Sequence, residues 1–151
     1  TVHPYLGAEA VRPFLDRKEK GVFVLCKTSN HGSAEFQDMD VGGEPLYKIV
    51  ARHVTESWNT NGNCGVVAGA TYPAELAAVR AIVGDMPMLV PGVGAQGGDL
   101  DAAVKAAKNS RGGGFIIAAS RAVIFASERK DYAGAARAKA QELDGEIRVA
   151  L

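Results

Sequence analysis

The chain has 151 residues, enough for one ordinary domain, and its 47% hydrophobic and 23% charged residues give the composition of a soluble globular protein. Lys+Arg and Asp+Glu balance at 17 each, so nothing in the charge points to a nucleic-acid or membrane surface. No apolar stretch is long enough to span a bilayer, and the N-terminus has no basic region followed by an apolar run of the signal-peptide kind.

Taken in chain order, the elements alternate. Thr1-Val-His-Pro-Tyr5 has the look of a strand end and carries no initiator Met, which we read as a chain that begins inside a larger protein. Gly7 to Lys20 has helical spacing, with Pro13 expected in or near the first turn. Val22 to Cys26 is a short, β-branched apolar run and predicts a buried strand. Thr28 to Gly43 is polar and Gly-rich, about sixteen residues, too long for a plain connection and expected to cover a substrate. Glu44 to Asn59 predicts a helix with Pro45 at its first position. Three more strand-helix units follow: Cys64 to Ala70 with Tyr72 to Val83, Met86 to Val90 with Leu100 to Lys108 capped by Asp99, and Phe115 to Ala119 with Tyr132 to Leu143. Strands that are apolar throughout and alternate with helices predict a parallel α/β sheet covered by helices. Cys26 and Cys64 lie in such runs without CxxC spacing and read as buried reduced thiols of a cytosolic protein.

The stretch Pro91-Gly-Val-Gly-Ala-Gln-Gly-Gly98 follows a strand and precedes a helix, and it contains a literal GxGxxG. One reading is a dinucleotide fingerprint, with Arg121 on the next strand taking an NADP 2′-phosphate. Against it, two strand-helix units precede the motif, and Asp99 would repel a pyrophosphate. The other reading is a phosphate cradle built from two consecutive loops. Gly92, Gly94, Gly97 and Gly98 let backbone N–H groups approach an anion, Gln96 adds side-chain donors, and Ser120-Arg121 stand at the end of the next strand. In (β/α)₈ barrels a phosphate site commonly lies in the loops after the last two strands.

Thr1-Val-His-Pro-Tyr-Leu-Gly7, Cys26-Lys-Thr-Ser-Asn30, Gly69-Ala-Thr-Tyr-Pro73, Val90-Pro-Gly-Val-Gly-Ala-Gln-Gly-Gly98 and Ala119-Ser-Arg-Ala122 occur in that order. Together they resemble the C-terminal portion of orotidine 5′-phosphate decarboxylases of the bacterial KTSN/PGVGAQGG kind, over essentially the whole chain. The resemblance implies a (β/α)₈ TIM barrel of which residues 1–151 form a single half-barrel domain of about the last four strand-helix units. It implies a cytoplasmic homodimer, without metal or cofactor, that converts orotidine monophosphate to UMP and CO₂ in pyrimidine biosynthesis. Thr28 and Ser29 would lie against the pyrimidine edge, Pro91 and the Gly94–Gly98 backbone, Gly97 included, would line the phosphate loop, and Gln96 would bridge toward the phosphate. Ser120, through its backbone, and the Arg121 side chain would bind that phosphate.

Two departures stand out. The family's Asp-x-Lys-x-x-Asp array on the third barrel strand has no counterpart in this sequence, so no catalytic residue is assigned here and the isolated chain is expected to be inactive. His3 and His31 replace residues more often Asn and Pro. A half-barrel would leave Val22–Cys26 and Phe115–Ala119 as open edges and turn the inner faces of all four strands to solvent. Such a chain is expected to aggregate, to pair with a second half-barrel, or to be part of a longer protein. A related sugar-phosphate decarboxylase, one acting on a keto-gulonate phosphate, would share the phosphate loops but not KTSN. A non-catalytic phosphate-binding half-barrel is the remaining alternative.

Overall fold

A computed structural model describes residues 1–94 and 98–151. Four strands, β1 (Val22–Lys27), β2 (Cys64–Ala68), β3 (Met88–Pro91) and β4 (Phe115–Ala118), form one sheet in the order β1-β2-β3-β4. All three pairings are parallel, as expected of strands separated by helices. The helices are α1 (Gly7–Leu15), α2 (Ala34–Gln37), α3 (Leu46–His53), α4 (Pro73–Val83), α5 (Leu100–Ala107), α6 (Ser120–Ile124) and α7 (Tyr132–Ala150). No described helix is long and apolar enough to cross a membrane.

Register sorts the two faces of the sheet. Val22 pairs with Cys64, Val24 with Val66, Val66 with Met88, Met88 with Phe115 and Val90 with Ile117. This row belongs to the helix-covered core, with Val11, Ala51, Val54, Leu76, Val79 and Ala103 against it. The opposite row is Phe23-Gly65, Leu25-Val67-Leu89 and Ile116, and Ile116 is 53% exposed. Contrary to the expectation of a wholly exposed inner face, β2 is buried along its length. At Gly65 the cover is local: the Phe23 ring lies over it, and a Cβ there would come within 2.6 Å of Cε1. Nor is the outer edge of β1 bare. Val2 bridges Val24 in parallel, its N–H donating to Phe23 O at 2.9 Å while Leu25 N–H donates to Val2 O at 2.8 Å.

Several boundaries moved for identifiable reasons. Pro13 sits inside α1 rather than in its first turn, and the helix ends at Leu15, short of Lys20. The proline removes the N–H that would bond the Glu9 carbonyl, which fits a stop soon after it. Pro45 is the N-cap of α3 rather than its first residue. Beyond His53 the chain widens into a π-helical turn over Val54–Trp58 and then tightens into a 3₁₀ turn over Asn59–Asn61. The wide turn delivers Trp58 to the core, edge-on to His53 at 5.1 Å. Asp99 caps α5 as expected, its carboxylate accepting from Ala102 N–H at 3.1 Å. α7 runs on to Ala150, with Lys139–Glu142 and Arg148–Asp144 pairs along its surface.

Candidate functional site

The C-terminal ends of the four strands lie side by side, and the residues singled out in the sequence gather there. At β3 the chain leaves through Pro91 and Gly92, the latter at φ 98°, a conformation favouring glycine. Gly98 N–H donates to Gly92 O at 3.2 Å, and Val93 bridges Gly98, so the glycine loop closes on itself. A Cβ at Gly98 would lie 2.7 Å from Gly92 O and 2.9 Å from Ala70 Cβ, so only glycine lets the loop seat against the β2 end. Gln96 and Gly97 fall outside the described residues.

Next to this loop, β4 ends and α6 begins at Ser120. The first-turn N–H groups of any helix lack intrahelical acceptors. A cleft of about 140 Å³ separates the two loops, lined by Pro91, Gly92 and Val93 on one side and Ser120, Arg121 and Ala122 on the other. Arg121 is exposed and makes no ion pair among the described residues. The cleft thus brings an uncommitted guanidinium and small, backbone-presenting residues around a space of anion size. The sequence places Ser120-Arg121 at a strand end, whereas the structure opens the short helix α6 there.

At β1 the arrangement is more elaborate than the sequence suggested. The register with β2 shifts by one residue between Leu25 and Lys27, and Cys26 and Lys27 are both buried in succession. Such a bulge breaks the in-out alternation. Cys26 donates its thiol proton to Tyr47 O at 3.0 Å, and burial pushes that thiol up to about 12. Lys27, 2% exposed, sends Nζ to Asp38 Oδ1 at 2.5 Å, with the Tyr47 and Tyr72 rings 5.5 Å and 5.2 Å away. The ammonium thus lies between two rings and a carboxylate.

Thr28 and Ser29 follow directly. Thr28 is bonded to Gln37 through both its N–H and its hydroxyl, and to Asn30. Ser29 O accepts from Thr71 Oγ1 at 3.0 Å, and its backbone lies against Gly69, where a Cβ would be 2.8 Å from Ser29 N and Cα. Gly69 N–H donates to Lys27 O at 2.8 Å and Ala70 N–H to Pro91 O at 2.8 Å, which laces the strand ends together. The segment after Ser29 is partly ordered: a 3₁₀ turn at His31–Ser33 runs into α2. Its far end is held by Glu44, whose carboxylate takes both terminal nitrogens of Arg52 at 2.7 Å.

Gln37 and Asp38 escape sequence reading, and Lys27 and Gly69, which stand in the quoted stretches, are given no structural role by it. A signal existed for Lys27, a cation closing an apolar strand; nothing marked its partner eleven positions on.

Comparison with known proteins gives a consistent result. The family described as orotidine 5′-phosphate decarboxylase / HUMPS matches residues 1–136. An orotidine 5′-phosphate decarboxylase of an Azoarcus species is 56% identical over 140 residues, covering 93% of this chain and 52% of that protein. The Cellvibrio japonicus enzyme of the same name is 53% identical, over 99% of this chain and 55% of its own length. Among solved structures, Leishmania donovani UMP synthase superposes with a TM-score of 0.83 at 43% identity, covering 95% of this chain and 31% of that one. Leishmania donovani OMP decarboxylase gives 0.81 at 40% identity, covering 97% and 56%. The chain spans about half the length of the curated relatives it matches. Four parallel strands in sequential order, with this family matched across nine-tenths of the residues, make the fold part of a (β/α)₈ barrel, and the chain belongs to the orotidine 5′-phosphate decarboxylase / HUMPS family.

Proposed function

We propose that this chain is the phosphate- and pyrimidine-binding half of an orotidine 5′-phosphate decarboxylase, which converts orotidine monophosphate to UMP and CO₂. The observation that carries the reading is the pairing of an anion-sized cleft at the β3 and β4 ends with a polar edge, Thr28-Ser29, at the β1 end of the same sheet. A nucleoside monophosphate has a matching anionic end and a matching planar polar end. The names of the relatives favour this over a sugar-phosphate decarboxylase of the same barrel type or an NADP enzyme.

In this reading Arg121 and the Ser120 backbone hold the phosphate, with Pro91, Gly94, Gln96 and Gly97 forming the opposing loop. Thr28 and Ser29 hold the pyrimidine edge. Loss of CO₂ from C6 leaves a carbanion with little delocalisation, so groups at C6 must stabilise charge in the transition state and return a proton. The contacts in this half are remote from C6. They supply binding energy, orient the ring and, through residues 28–43, exclude water. The Asp-x-Lys-x-x-Asp array that would act at C6 in the family is not found in these 151 residues. Family membership is the support for extending the reading to a homodimer acting in the cytoplasm.

The test sets this segment in a complete barrel, in place of its counterpart in the Azoarcus relative. Arg121→Ala then lowers kcat/KM for orotidine monophosphate by roughly two or more orders of magnitude, the effect of losing a charge-assisted fork. A variant within about threefold of its parent would remove Arg121 from the phosphate site.

A further inference from the structure

Hydrophobic burial does not hold residues 28–38 in place. From Asn30 to Asp38 Ser33 alone is buried and Gln37 is half-buried; the rest are exposed, Phe36 among them. α2 has four residues, far below the length at which a helix stands on its own. The anchors of this segment are polar, and they sit at its two ends. Thr28 and Gln37 exchange two hydrogen bonds at 2.9 Å, and Asp38, which caps the end of α2, pairs with Lys27.

The two partners of that ion pair are placed very differently. Lys27 closes β1, its side chain is 2% exposed, and its ammonium lies between the rings of Tyr47 on α3 and Tyr72 just before α4. Its position is therefore set by the sheet and its helices. Asp38 is 39% exposed and belongs to the loop, so it is the partner that can leave. No other carboxylate pairs with Lys27 among the described residues. A buried ammonium stripped of its carboxylate is left uncompensated, and that penalty is much larger than an exposed pair returns. Swinging the segment off the sheet would carry Asp38 away and incur it.

We propose that Asp38 is a positioning residue: by pairing with the fixed ammonium of Lys27 it closes residues 28–38 into an Ω-type loop and sets the place of Thr28 and Ser29 before any ligand arrives. An edge formed in advance binds more tightly because less freedom is lost on binding. This role rests on the reading of Thr28 and Ser29 as ligand contacts.

The test titrates the 151-residue chain with UMP and ribose 5-phosphate, followed by amide chemical shifts. Hydrogen exchange at the Thr28 amide reports loop closure, and urea unfolding reports global stability. Asp38→Asn keeps an oxygen facing Lys27 and removes the charge. UMP affinity then falls about tenfold and Thr28 exchanges about tenfold faster, while ribose 5-phosphate, held by the cleft at the β3 and β4 ends, binds as before. Lys27→Met combined with Asp38→Leu strands no ammonium, so the unfolding transition returns to that of the parent. UMP affinity stays low in this double variant and Thr28 stays open to exchange, because apolar contact does not fix a loop across eleven positions as an ion pair does. A double variant that recovers UMP affinity together with stability overturns the positioning role and leaves the pair a structural one. An Asp38→Asn chain that keeps the parent's ratio of UMP to ribose 5-phosphate affinity also overturns it, with the edge reading intact. A parent that binds UMP no better than ribose 5-phosphate overturns the edge reading, and this role with it.

Discussion

Replacing Gly69 by Ala probes how tightly the proposed pyrimidine edge is built. The new Cβ would sit 2.7 Å from Ser29 Cβ and 2.8 Å from Ser29 Cα and N. Carbon atoms in favourable contact lie about 3.5 Å apart or more, so the Ser29 backbone must retreat by roughly 0.8 Å. It cannot do so freely. Gly69 N–H bonds Lys27 O at 2.8 Å and Thr71 Oγ1 bonds Ser29 O at 3.0 Å, and the same displacement would stretch either bond toward its limit. Overpacking of this kind costs about 1–3 kcal/mol of stability. It also moves Ser29 beyond the roughly 0.5 Å that a binding constellation tolerates, so UMP affinity falls by about tenfold or more. Ribose 5-phosphate binding, which needs the cleft at the β3 and β4 ends, stays as it was. Urea unfolding gives the stability change and a pair of ligand titrations gives the split. Gly21→Ala is the control, since nothing lies within 4 Å of its Cβ position and its φ is not positive. A Gly69→Ala chain as stable as this control, with an unchanged ratio of UMP to ribose 5-phosphate affinity, would refute the close-approach argument.

Three further outcomes are expected. Arg80 is buried and donates to four carbonyls, those of Ala107, Gly84, Met86 and Gly114, at 2.7–2.9 Å, so Arg80→Met should lower unfolding free energy by roughly 3–5 kcal/mol in a urea titration, and a loss below about 1 kcal/mol would contradict that role. The Arg52 hydrogen bonds hold the Glu44 carboxyl below its ordinary range, so the pair stabilises the fold above the unfolded-state pKa of about 4.3 and ceases to as pH falls through the lower folded value. The stability difference between parent and Arg52→Met should accordingly be present at neutral pH and vanish in acid, and a pH-independent difference would assign it to packing instead. Cys26, raised to about 12 by burial, should react with a thiol reagent at pH 8 only at the rate of unfolding, as mass spectrometry of quenched samples can show.

The sheet was legible because each strand is a short apolar run between helical patterns, and burial on the helix side demands that composition. Asp99 was legible for a similar reason, since an N-cap has a local chemical signature. What escaped depends on long-range geometry. The π-helical turn after His53 answers to where Trp58 must go in the core, which periodicity in 44–59 does not record. The bulge at Cys26 reverses which face Lys27 takes, and one residue of register is invisible to a pattern of period two. The Lys27–Asp38 and Thr28–Gln37 pairs join a strand end to the far part of a loop, and nothing in residues 28–43 taken alone predicts which polar side chains turn inward. Glycine spacing and one arginine drew attention to two stretches, and Gly92 and Arg121 from them line one cleft; the short helix between Ser120 and Ile124 is not legible, because five residues are too few to show a period.

The sequential strand order also makes the sheet a ruler. Neighbouring strands in a sheet are about 4.8 Å apart, so the Thr28-Ser29 edge just past β1 and the cleft between the β3 and β4 ends stand about two and a half spacings, roughly 12 Å, from one another along the row of strand ends. No single anion or flat ring reaches across that interval. A molecule that engages both must carry its charged group and its planar group on opposite ends of a spacer about as long as a pentose with its 5′-oxygen. A shorter ligand has to choose one end. In the proposed reading, length is therefore discriminated by the order in which the chain lays down its strands, before any side chain at either end has been consulted.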